Sequence, residues 1–222
     1  MTFPGETPPP AMFANRDERN CPHGIAQNHL EVRQQNLGLR NALIILEAKE
    51  VREVRSRRAT LRVRGCVFLP RVQWVPLGTS LQLVNEDKAE HQIHAFLKEA
   101  SVFDVLLSPG QIGQSRTPHR PIVQPGFYKI NCDRHPWERA WIYASAHPYV
   151  AVTDASGHFQ IKDVPRGSYS LRVWHEGWQE RTKDSQERLE YFPVGQTQSI
   201  TVKENEISTI RFDDLKPAWD VR

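Results

Sequence analysis

Apolar and polar positions alternate in short runs along most of this chain, and Gly, Pro, Asn and Asp break the runs apart. Leu81-Gln-Leu-Val84 alternates, and Gln92-Ile-His-Ala-Phe-Leu97 and Val102-Phe-Asp-Val-Leu106 carry the same period of two and read as a strand pair. Tyr128-Lys-Ile-Asn131 and Trp141-Ile-Tyr143-Ala follow, with Ser108-Pro-Gly110 and Gln124-Pro-Gly126 as turn signals. Many short strands punctuated in this way predict a Greek-key β-sandwich. Upstream, residues 29–46 read as two short strands with a turn between them, ending on the apolar run Leu43-Ile-Ile-Leu46. Downstream, residues 147–161 read as strand, Asp-x-x-Gly turn and strand, and residues 163–174 as a turn and a third strand. Gly157 and Gly167 are placed to supply positive φ in those turns. Gln198-Ser-Ile-Thr-Val202 and residues 207–212 predict two more strands, and residues 176–190, polar and charged, predict an exposed loop. The fold class is therefore all-β, in two β-sandwich domains.

Composition changes this picture little. At 222 residues, with 39% hydrophobic and 25% charged, the chain belongs with ordinary soluble proteins and fits one large or two small domains. A net charge of +3 without a clustered basic face gives no case for nucleic acid. No apolar run reaches the length of a transmembrane helix. Residues 1–27 form a Pro-rich, polar tail without the basic start and apolar centre of a secretory signal. Residues 47–64 alternate charges with Val51, Val54, Leu61 and Val63, which suggests extended or edge segments joined by a solvated connection.

The chemistry concentrates in Tyr128-Lys-Ile-Asn-Cys132-Asp-Arg-His135-Pro-Trp-Glu138. A thiolate and an imidazole so close on a tight loop can bind one metal ion, and a second, distant His would complete the His2Cys set of mononuclear copper sites. The order Phe68-Leu-Pro70, Gly78, Leu81-Gln-Leu-Val-Asn85, His91, then Gly126-Phe-Tyr128 and Cys132-Asp-Arg-His135 resembles the cupredoxin family over residues 62–146. That resemblance implies copper, an electron-transfer or copper-handling role, a redox protein partner and a periplasmic or secreted location, and hence a chain that has lost or lacks its signal. It selects His91 over His94, which a strand would point the opposite way, and it makes Asn85 a residue tying the two ligand loops together. The chain departs from the family at the fourth position: its two methionines, Met1 and Met12, both lie in the tail. Glu138, three residues past His135, is the candidate replacement, so the metal set is His91, Cys132, His135 and Glu138. Phe127, Trp137, Trp141 and Tyr143 would surround the loop as core, as a lid or as a docking patch. With three cysteines, a Cys21–Cys66 disulfide leaves Cys132 for metal, whereas a Cys66–Cys132 disulfide would abolish the site.

Thr153-Asp-Ala-Ser-Gly157-His-Phe159 followed by Val164-Pro-Arg-Gly167-Ser-Tyr169-Ser-Leu171 resembles the carboxypeptidase regulatory-like domain, a transthyretin-like sandwich without catalysis. Residues 147–222 offer fewer strands than the roughly seven of a full sandwich. Either the early strands of residues 28–48 complete it, with residues 62–146 inserted between, or two domains follow in series and the early strands serve the first. No hydrolase, phosphate-loop or paired-carboxylate motif is present, and the expectation is a protein that is not an enzyme. The competing expectation is a non-catalytic binding module with a degenerate metal site.

Overall fold

The computed structural model describes residues 11–12, 20–21, 26–27, 30–33, 35–48, 54–55, 58–109, 121–184, 188–213 and 215–217. Most of the Pro-rich tail, residues 49–53 and 56–57 of the charged stretch, and Gly110 of the predicted turn lie outside them. The described residues are all-β, with strands joined by turns and no helix.

Five strands form one sheet in the order Ala100–Leu107, His91–Leu97, Gly126–Cys132, Arg139–Ser145 and Val72–Pro76. Facing it is a three-stranded sheet, ordered Phe68–Leu69, Arg58–Val63 and Ser80–Asn85. The period of two does the sorting: Ile93, Ala95, Tyr128, Ile130 and Cys132 of one sheet and Leu61, Val63, Leu81 and Leu83 of the other close a common apolar core. The last pairing of the larger sheet is parallel, Trp141 to Val72 through Ser145 to Pro76.

A second five-stranded sheet runs Val150–Val152, Leu43–Glu47, Gly167–His175, Val194–Val202 and Lys216–Pro217. Leu43–Glu47 thus pairs with strands that follow the whole first sandwich, Ile45 opposite Val150 and Ile44 opposite Val173. The run Leu43-Ile-Ile-Leu46 does not alternate because both its faces are covered. Ile44 and Leu46 join Leu171, Val173 and Phe212 in the core of the second unit. Leu43 and Ile45 face the other way, with Trp174, against Val72, Phe127, Trp141 and Tyr143 on the outer face of the first sandwich.

Several local readings differ from the structure. Residues 159–161 and 207–212 form no strand, although Phe159, Ile161, Ile210 and Phe212 pack over the second sheet. Their apolar content records burial, and they make no sheet ladder. The turn at residues 154–158 forms as expected: Asp154 Oδ1 accepts from the backbone N–H of Ser156 and His158, and Gly157 sits at φ 76°. Residues 176–190 are not an exposed loop. Glu180–Lys183 and Leu189–Tyr191 pair as a hairpin, and Glu176, Arg188, Leu189 and Tyr191 are buried. Of its charges, Glu176 pairs with Arg71, Arg188 with Asp133, and Glu190 with Lys129 and Arg139 of the first sandwich, while Arg181 and Lys183 are exposed.

Candidate metal centre

The site forms where three segments meet at one end of the first sandwich. Asn85 ends a strand and shapes the turn after it: its Oδ1 accepts from Asp87 N at 2.9 Å, and its Nδ2 donates to Ala89 O at 2.8 Å and Ser108 O at 2.9 Å. These bonds fasten the 86–90 turn to the end of the neighbouring strand. They do not run to the Cys132–His135 loop, so the expected tie between the two ligand loops is corrected. Asp87 in turn accepts from Gly65 N at 2.7 Å and Cys66 N at 2.8 Å. His91 opens the next strand, fully buried, with its Nε2 3.4 Å from Asp87 Oδ2 and its Nδ1 facing inward. That oxygen stands at ion-pair distance without a hydrogen bond to the ring, so Nε2 is buried with no hydrogen-bond partner among the described residues.

Cys132 ends its strand on the core face, opposite Ile93. The chain then turns tightly, with Cys132 N bonded to Glu138 O at 3.3 Å and Glu138 N to His135 O at 3.0 Å. This closure brings three side chains of one loop to one point. His91 Nδ1 and His135 Nδ1 are 3.2 Å apart, and Cys132 Sγ lies 3.5 Å from His135 Nδ1. Glu138 turns inward, with its oxygens 2.9 and 3.0 Å from His91 Nδ1 and 3.2 Å from His135 Nδ1. One donor atom from each of the four residues fits within 4.8 Å of the others, and all four residues are buried. His94 is excluded by strand alternation: half-buried, it pairs with Asp133 at 3.0 Å and Ser101 at 2.8 Å.

Electrostatics make this a demanding cluster. Burial pushes the Cys132 thiol well above its ordinary pKa, and the nearby Glu138 charge pushes it further. Burial would raise Glu138 as well, but hydrogen bonds from His135 and His91, and their charge, outweigh it and hold the carboxyl below its usual value. A sulfur, two imidazole nitrogens and a carboxylate thus converge their lone pairs in a site closed to water. A cation satisfies that arrangement better than protons do, because it bonds all four at once.

The cover over the site is the disulfide Cys21–Cys66, which leaves Cys132 as the free thiol. Cys21 Sγ lies 3.7 Å from His135 Nε2, the outer nitrogen. Trp137 packs beside His135 with ring centroids 5.1 Å apart, donates its N–H to Cys66 O at 3.0 Å, and shares an apolar cluster with both cysteines and Ala89. Of the four aromatics expected around the loop, Trp137 alone takes that place. Phe127, Trp141 and Tyr143 point to the opposite side of their sheet, into the contact with the second unit.

Comparisons with known proteins give one family-model match over part of the chain and distant likenesses among solved structures. Residues 121–209 match the family model described as polysaccharide lyase family 4, domain II. That span crosses from the ligand strand into the second unit, and its description differs from the carboxypeptidase regulatory-like domain that the turn motif resembles. No curated protein sequence matches the chain. A reduced Cu(I) form, at pH 4, of a mutant amicyanin is similar at 14% identity, over 46% of this chain and 98% of that one, with a TM-score of 0.35. A purple cupredoxin from Nitrosopumilus maritimus is similar at 20% identity, over 39% and 99%, with a TM-score of 0.33. A copper-containing nitrite reductase from Thermus scotoductus SA-01 is similar at 23% identity, over 44% of this chain and 24% of that one, with a TM-score of 0.33.

Asp87 and Arg188 were not picked out by sequence. Asp87 stands four residues before His91, a spacing that is common by chance. Arg188 comes from the second unit, and only the tertiary fold brings it to the ligand loop, where its Nη2 is 2.6 Å from Asp133 Oδ1.

Proposed function

We propose that this protein binds one copper ion through His91 Nδ1, Cys132 Sγ and His135 Nδ1, with Glu138 as the fourth donor, and serves electron transfer or copper handling outside the cytoplasm. The observation that carries this is the convergence of four buried donors, two of them Nδ1 atoms 3.2 Å apart, around one point. A thiolate with two imidazoles suits copper, which such sites bind more tightly than other divalent first-row ions. Bound there, copper would supply a one-electron couple. The residues do the rest: the loop closure holds Cys132, His135 and Glu138 together opposite His91, and the disulfide and Trp137 keep water away.

Charge tells which oxidation state the chain favours. Thiolate and carboxylate together balance a divalent ion, whereas a monovalent ion leaves one uncompensated negative charge in a buried site. Glu138 therefore favours the oxidised form. A site closed by four buried protein donors supports a carrier rather than an enzyme. The Cys21–Cys66 disulfide supports an oxidising compartment, and no described helix is long and apolar enough to cross a membrane.

The test is titration of the metal-free protein with Cu(II), followed by visible absorption and electron paramagnetic resonance, with Zn(II) as competitor. One equivalent should bind, with a thiolate-to-copper band and a higher melting temperature, and Cys132→Ser should lose the band. A band that survives in Cys132→Ser, or no rise in melting temperature with either ion, overturns the assignment. The latter result would favour a binding module with a degenerate site.

A further inference from the structure

Among the described residues, Arg188 of the second unit reaches the ligand loop. Arg188 stands just before the second strand, Leu189–Tyr191, of the hairpin, and its side chain is only 5% exposed. Its Nη2 donates to Asp133 Oδ1 at 2.6 Å and to the carbonyl oxygen of Cys132 at 3.3 Å. Asp184 steadies it from behind, accepting from Arg188 N at 3.0 Å and facing Nη1 at 3.4 Å. Asp133 in turn bonds His94 and, through its own N–H, Gln92 O at 2.9 Å. The guanidinium thus holds two consecutive residues of the ligand loop, one of them the cysteine itself, from an element outside the sandwich that builds the site.

We propose that Arg188 is a positioning residue of the metal centre, by which the second unit fixes the Cys132–Glu138 loop and raises the reduction potential of the bound ion. The proposal rests on the copper reading above. Its physical basis has two parts. A planar, always-charged guanidinium holds a carboxylate and a carbonyl in fixed geometry, which a lysine does less well. The guanidinium also neutralises Asp133, 2.6 Å away and next to the cysteine, so that this carboxylate does not add to the negative charge that the site would carry with a monovalent ion, and in this it opposes the effect of Glu138. The same hairpin docks by other contacts, with Glu190 bonded to Lys129 at 2.9 Å and to Arg139 at 3.1 Å. Docking and positioning can therefore be separated.

The experiment compares the full chain with Arg188→Met, Arg188→Lys and Glu190→Gln. In the metal-free protein, amide hydrogen exchange across residues 132–138 should quicken about ten-fold in Arg188→Met, a change of about 1.4 kcal/mol in opening. It should quicken little in Glu190→Gln. In the copper-loaded protein, Arg188→Met should favour the oxidised ion about ten-fold, a fall of about 59 mV for one electron, and Arg188→Lys should recover part of it. Exchange in Arg188→Met that equals the wild type, or that rises equally in Glu190→Gln, overturns the proposal. So does an unchanged potential. If the wild type takes up no copper, the copper reading fails and the claim on potential fails with it, while the exchange comparison still decides whether Arg188 positions the loop.

Discussion

Glu138 and Cys132 pull the centre in opposite directions, and pH separates them in the metal-free protein. Glu138 has a folded pKa below its unfolded value, so its contribution to stability is present above the ordinary carboxyl range of about 4.3 and is lost as pH falls through the folded value. Cys132 has a folded pKa raised well above its unfolded value, so its contribution is full below about 8.5 and is lost as pH rises toward the folded value. Chemical denaturation across pH should show stability falling at both ends. Cys132→Ser should flatten the alkaline limb, and Glu138→Gln the acid limb; a limb unchanged by its variant would show that some other group causes it. In the copper-loaded protein, Glu138→Gln should raise the reduction potential by removing the negative charge that favours the oxidised ion, and Glu138→Met should raise it further as a softer donor. Potentiometric titration checks both, and equal potentials in all three proteins would place Glu138 outside the coordination. The meeting of these four side chains was legible in the sequence because three share one loop and the fourth follows an Asn at a familiar distance. The surrounding groups were not: Asp87 comes within 3.4 Å of His91 Nε2 only in the folded turn, and Asn85 bonds to carbonyls whose positions depend on a neighbouring strand.

At the scale of elements, the strand Leu43–Glu47 shows how far periodicity carries. Its length and apolar content were legible, and the shortage of strands in residues 147–222 made pairing with that half one of two expected arrangements, the one that the structure shows; what covers each of its faces was not legible, because a run without alternation does not say what lies on each side. The structure covers both sides, so truncation should be costly at successive positions. Leu43→Ala and Ile44→Ala should each lower stability by about 2–5 kcal/mol in urea unfolding. A large loss at only one of them would mean that one face is effectively solvated. The hairpin at residues 180–191 was misread for the converse reason. Charged residues signal solvent until partners are known, and here Lys129, Arg139 and Asp133 on the first sandwich supply them. The segments 159–161 and 207–212 have strand-like sequences, yet their packing uses side chains alone, a distinction the pattern does not encode.

For the whole molecule, the Cys21–Cys66 link spans 45 positions of sequence. A closed loop of that size is worth about 4 kcal/mol on the chain-entropy estimate, and it fastens an early segment over the metal centre. Reduction should lower the denaturation midpoint, and in the copper-loaded protein it should also speed removal of the ion by a chelator, since the outer edge of His135 loses its cover. Unchanged removal rates would show that Trp137 and the surrounding turns suffice. The strand pairing of Leu43–Glu47 with Val150–Val152 and Gly167–His175 has a further consequence during synthesis. A ribosome delivers this apolar strand first, then the entire first sandwich, and only afterwards the strands that will flank it. Throughout that interval a sticky, unpaired segment accompanies a domain that can already close around its own core. Nascent chains halted after residue 146 should therefore bind holding chaperones through residues 43–47, and chains that have emerged beyond residue 175 should let them go.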